Sequence, residues 1–116
     1  MSTVRQHKRS YANYLGLLGG APAAVPANTV LPVLTGTAQV GEILTTTDGT
    51  WTGNPAPVLS RQWKADDVAI VGSTGPTYAP VTGDIGKVIT VSVTGVNYSG
   101  SATATSSATT AVIAAA

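Results

Sequence analysis

The sequence predicts an all-β sandwich of about seven strands, preceded by an extended N-terminal arm. Three observations carry this reading. Ala, Val and Thr dominate a 116-residue chain that contains no Phe and is only 9% charged, and Val and Thr suit a pleated, half-buried surface. From Thr29 onward, turn signals interrupt short β-type runs at intervals of roughly ten residues. The run VITVSVTG alternates apolar and polar residues, the period-two signature of a strand with one face buried.

The elements follow in order. Residues 1–28 are assigned to a docking arm and linker, because the Pro-containing stretch Ala21 to Asn28 separates a basic, aromatic terminus from the threonine-rich body at 29–116. TVLPVLTG is a first strand, and Pro32, which cannot donate to a ladder, places it at an edge. In VGEILTTTDGTWTG, Ile43 or Leu44 starts a buried face and Asp48-Gly49 is a turn or bulge. After the Asn54 to Pro57 break, VLSRQWKADD sets Leu59, Arg61 and Trp63 on one side of a strand, so its apolar face carries Trp63. Asp66-Asp67 is the next turn, VAIVG a short strand, and PTYAP leads into TGDIG. Ile89, Val91 and Val93 then form the buried side of the clearest strand, Asn97 to Gly100 reverses the chain, and SATATSSATTAVI returns. The predicted core is Leu44, Trp63, Ile89, Val91 and Val93.

Composition narrows the function classes. Cysteine is absent, which removes disulfides, thiolate metal sites and thiol nucleophiles. The single histidine, His7, lies in the arm without a neighbouring nucleophile or orienting acid, so an enzyme is not expected and neither is a cofactor. Asp66-Asp67 lacks the regular loop of oxygen ligands that calcium needs, so no metal is expected. Asn97-Tyr98-Ser99 matches a glycosylation acceptor but is preferred as a turn. Gly16, Gly19 and Gly20 lack the spacing and preceding strand of a phosphate-binding loop. No apolar run is long enough to cross a membrane as a helix. The first 23 residues imitate a signal peptide, with a basic start and an A-x-A-like end, but Asn13, Gly16, Gly19 and Gly20 interrupt the apolar stretch.

The arm is the more informative part. Arg5, Lys8 and Arg9 concentrate positive charge in the first ten residues, leaving the body slightly acidic. Three fixed charges with no basic patch in the body are too few for a nucleic-acid partner to be expected. Tyr11, Tyr14, Leu15, Leu17 and Leu18 form an apolar and aromatic cluster that calls for a partner's pocket, or for the arm's own sandwich.

With GTWTG, the RQW triplet around Trp63, TYAPVTGDIG and the Gly95 to Gly100 turn in this order, about 80 residues of the body resemble the immunoglobulin-like domains of bacterial surface and phage structural proteins. The resemblance implies an immunoglobulin-like β-sandwich in which Leu44 and Val93 stand where antibody domains carry their disulfide. The chain departs from the pattern at the tyrosine corner, where Val88 occupies the position expected from Asp84. The implied function is that of a virion protein, a capsid decoration or head-fibre subunit on the outer surface of a phage capsid. Its expected partners are the major capsid protein or another virion protein, and copies of itself. The alternatives are a tail or neck subunit, or a cell-surface adhesion module binding host-surface carbohydrate through loops near Trp51, Asn54 or Tyr98.

Overall fold

The computed structural model describes residues 22–116, so every arm residue from Arg5 to Leu18 named above lies outside the described part. The strand segments are β1 (Ala24–Val30), β2 (Leu34–Thr35), β3 (Leu44–Thr46), β4 (Thr50–Asn54), β5 (Val58–Ala65), β6 (Val68–Ala69), β7 (Thr77–Tyr78), β8 (Ile89–Asn97) and β9 (Gly100–Thr105). A short 3-10 turn at Thr82–Asp84 precedes β8, and no α-helix occurs among the described residues. The protein is all-β, built from sheets packed against one another.

These segments make seven passes of the chain, because the first two passes are each broken once. Val30 lies opposite Thr50 and Leu34 opposite Thr46, so the register runs unchanged through both breaks. Across the gap the Thr47 N–H donates to the Val33 carbonyl at 3.0 Å, and the Val33 N–H donates to Thr47 Oγ1 at 3.0 Å. The kink is written in two residues. Pro32 supplies no N–H for a continuous ladder, and Gly49 adopts φ +77° where a Cβ would stand 2.1 Å from the Val30 carbonyl oxygen. Asp48-Gly49, expected as a turn or bulge, falls in the break between β3 and β4 with the register unchanged, and β2 forms the edge of the β2-β3-β7 sheet as Pro32 implied.

One boundary moves. Residues 24–28, read from sequence as linker, belong to β1 and pair with β4 from Ala24 opposite Asn54 onward. Alternating Ala, Pro and Val conceal that strand, yet Pro26 is buried within it.

The second sheet has the order β6-β5-β8-β9. Asp66 and Asp67, with φ 48° and 66°, close the two-residue turn between β5 and β6, the conformation that matches strand twist in tight hairpins. Asp66 Oδ1 also accepts the Val88 N–H at 2.9 Å. At the β8–β9 hairpin, Asn97 pairs with Gly100, and the Ser99 N–H donates to Asn97 Oδ1 at 2.8 Å.

Trp63, Leu44, Ile89, Val91 and Val93 are all fully buried, as expected. Two details differ. Thr90 and Ser92, on the opposite face of β8, are also only 6% exposed, so β8 is buried on both faces. These small hydroxyl side chains lie in the middle of the sheet, opposite the longer Lys64 and Gln62. Val93 lies outside the cluster around Trp63, which comprises Ala38, Leu44, Ala65, Ile89, Val91 and Val112; Val91 is the residue directly opposite Trp63.

Beyond β9 the chain stays attached to β8 through hydroxyls. Ser106 exchanges bonds with Val91, its N–H donating to the carbonyl at 2.9 Å and its Oγ accepting the Val91 N–H at 3.1 Å. Thr109 does the same with Ile89, both bonds at 3.0 Å. Val112 and Ile113 then make parallel bridges to Ile85 and Gln39, fastening the last segment to residues outside the four-stranded sheet.

Candidate docking site

Two tryptophans hold the packed sheets at different points. Trp63 stands on β5, stacks on Tyr78 with ring centroids 5.7 Å apart, and donates its indole N–H to the Gly75 carbonyl at 2.8 Å. Trp51 stands on β4 and reaches β8, where a Cβ on Gly95 would lie 3.1 Å from its ring atoms. The Trp51 indole N–H donates to the Asp48 carbonyl at 2.8 Å. The carboxylate of the same Asp48 receives Arg61 in a two-point contact, Nε to Oδ1 at 2.5 Å and Nη2 to Oδ2 at 2.8 Å. Trp51 is therefore a half-buried packing residue with its polar atom engaged. Of the three positions considered for sugar recognition, Tyr98 is the exposed aromatic, at 72%, while Asn54 binds the backbone of the opposite strand's start.

Tyr78 also donates its hydroxyl to Asp84, whose same oxygen, Oδ2, accepts the Val81 N–H at 3.0 Å. Burial, then the hydrogen bond and charge of Asp84, push the Tyr78 hydroxyl well above its usual pKa of 10.0. Sequence reading looked for a tyrosine beyond Asp84 and found Val88. The tie runs backwards along the chain, within the quoted string TYAPVTGDIG.

The arm's departure point is fixed by two asparagines. Asn54 Nδ2 donates to the Pro22 carbonyl at 2.9 Å, and Asn97 Nδ2 donates to the Ala24 carbonyl at 2.8 Å and to that of Pro55 at 3.0 Å. Whatever precedes Pro22 leaves from this end of the packed sheets.

A groove of about 310 Å³ lies farther along the first pass, between the kinked stretch at Pro32 to Ala38 and the segment from Ser107 to Thr110. Because Val33 bonds toward β3, the backbone groups of Leu34 point the other way, into the groove. Opposite it, Ala108 has neither its N–H nor its carbonyl paired with backbone among the described residues. No charged residue lines the groove, while Leu31 and Val33 beside it are 53% and 51% exposed.

Among the described residues no group of three or more acidic, His or Cys side chains is placed to hold a metal. No described helix is long and apolar enough to cross a membrane. Comparison with family models, curated proteins and solved structures finds no match to this chain.

Proposed function

We propose that the chain is a non-enzymatic structural subunit of a phage particle, an immunoglobulin-like sandwich displayed outward from the capsid and held by its N-terminal arm. The observation that carries this reading is the anchoring of Pro22 and Ala24 by Asn54 and Asn97. The preceding 21 residues, basic at Arg5, Lys8 and Arg9 and apolar from Tyr11 to Leu18, depart from a fixed point on a folded body. That is the layout of a tethered display domain. Aromatic and leucine side chains supply the anchoring contacts in a partner's pockets, and many copies on a symmetric shell hold through avidity.

The immunoglobulin-like assignment is supported by three features. The first and second passes pair antiparallel, the second pairs with β7, and the buried tryptophan of β5 faces Leu44 across the core while β5, β8 and β9 form the facing sheet. The carbohydrate-binding alternative is left with Tyr98, since the Trp51 indole is used in packing.

The test is a truncation. Removing residues 1–21, and not 1–28, keeps β1 intact; the remaining chain is expected to keep a folded, Trp63-buried core and to lose attachment to particles. Attachment equal to that of the full chain would contradict the docking role of the arm.

A further inference from the structure

The end of the body from which the arm departs differs in composition from the other end. Val58 pairs opposite Val96, and the β8–β9 turn places Tyr98 beside them. Val25 joins this end, because a Cβ on Gly100 would stand 3.2 Å from its Cγ1. All four are exposed, from 47% at Val96 to 75% at Val58. No charged residue occurs in 22–30, 50–60 or 94–105, the stretches that build this end. Asp48 and Arg61, the first charges met before β4 and along β5, are paired with one another. The other charges of the described residues, at Glu42, Lys64, Asp66, Asp67, Asp84 and Lys87, belong to the opposite end, where β5 stops and β3 starts. A solvated end carries such charges; an end without them, bearing exposed valines and a tyrosine, has the composition of an interface core.

The position of this end says what covers it. Asn54 and Asn97 hold the Pro22 and Ala24 carbonyls, so the arm's root lies within it. Leu18, the last leucine of the arm's apolar cluster, precedes Pro22 by four residues, at most about 14 Å of chain. A protein surface that takes Leu18 into a pocket therefore stands within that distance of the root. A body tethered so briefly turns this end toward that surface, and the short link raises the effective concentration of one face against the other. On the docking reading, the arm's own leucines are committed to the partner and are not free to cover the valines.

We propose that the body seats end-on, with Val25, Val58, Val96 and Tyr98 against an uncharged, apolar patch of the same particle protein that holds the arm. The inference rests on the docking reading of the arm and adds a second contact to it. Two contacts at one end fix the direction of display, with the charged end facing solvent.

The test is the attachment of full-length chain to particles that lack it, read as the concentration for half-saturation. Val58→Lys and Tyr98→Ser alter exposed positions of this end, while Val68→Lys places the same charge at the other end, on a residue of similar exposure. Tryptophan fluorescence that stays that of the folded protein shows each variant intact. The Val58→Lys/Tyr98→Ser double variant is expected to need about tenfold more protein or beyond, with Val68→Lys unchanged. Equal half-saturation by the double variant and the unsubstituted chain overturns the seat. Removal of residues 1–21 separates the two claims. If it abolishes attachment while the double variant binds fully, the seat falls and the docking role of the arm stands. If it leaves attachment unchanged, the docking role falls and takes the seat with it. Two readings of the free chain identify rival occupants. Nuclear Overhauser contacts from the Leu15 to Leu18 methyls to those of Val58 and Val96 give this end to the chain's own arm. A concentration-dependent dimer in sedimentation that Val58→Lys abolishes gives it to a second copy. Either result overturns the proposal, which predicts neither.

Discussion

Trp63 has no exposed surface and satisfies its one polar atom on Gly75, so its ring fills the core without leaving an unpaired donor. Trp63→Ala is expected to cost about 3–5 kcal/mol, the usual range for emptying an aromatic site, read as a fall in the urea midpoint. In a body of this size that is a large share of total stability. Tyr78 and Asp84 form a second tie at the same core. A hydroxyl pKa raised above 10.0 in the folded state means that the folded protein holds this proton more tightly than the unfolded chain does. The stabilisation is therefore complete below pH 10 and is lost as the pH rises beyond it. Tyr78→Phe should remove about 1–3 kcal/mol at neutral pH, because Asp84 is buried and loses a donor, and should flatten the alkaline fall measured by denaturation at stepped pH. The Arg61–Asp48 contact is two-pronged, but its side chains are 26% and 27% exposed. Asp48→Asn is expected to cost only about 1 kcal/mol, with the difference narrowing in high salt.

At the level of elements, the kinked first ribbon depends on backbone conformation more than on side chains. Gly49→Ala puts a Cβ into the Val30 carbonyl at a positive φ, and is expected to cost more than about 1 kcal/mol, above the ordinary glycine effect. The β5–β6 hairpin offers the opposite case: Asp67 sits at φ 66°, where Gly is preferred, so Asp67→Gly should stabilise by a few tenths of a kcal/mol to about 1 kcal/mol, read as a higher thermal midpoint. Elements with strong local signals were legible. The alternation of Ile89, Val91 and Val93 rests on strict period two, and the Asp66-Asp67 turn on the conformation of its two residues. Ala24–Val30 was not legible, because Pro26 and three small residues hide a strand that exists only through its pairing with Thr50–Asn54. Nor was the double burial of β8, since Thr90 and Ser92 look like surface residues until the central place of the strand in its sheet is known.

For the whole molecule, charge sets Arg5, Lys8 and Arg9 apart from a body in which acidic residues outnumber basic ones, and the proposed tether rests on that contrast. The groove was not readable. It arises from residues 32–38 and 107–110 approaching across about 70 residues of sequence, and apart from Val33 and Leu34 their Pro, Gly, Ala, Ser and Thr resemble any loop. The same holds for the approach of Trp51 to Gly95, which sequence does not show. The central claim is that the folded body is carried on a particle by its arm. The most direct measurement is a density gradient of the native source, with the intact mass of this chain and its copy number relative to the major shell protein determined in the particle fraction. The account predicts a chain retaining residues 1–21 in the particle peak, at the many copies a decorated lattice requires. Absence from the particles, together with a mature chain that begins close to Ala24, would contradict it and leave a surface module without a tether.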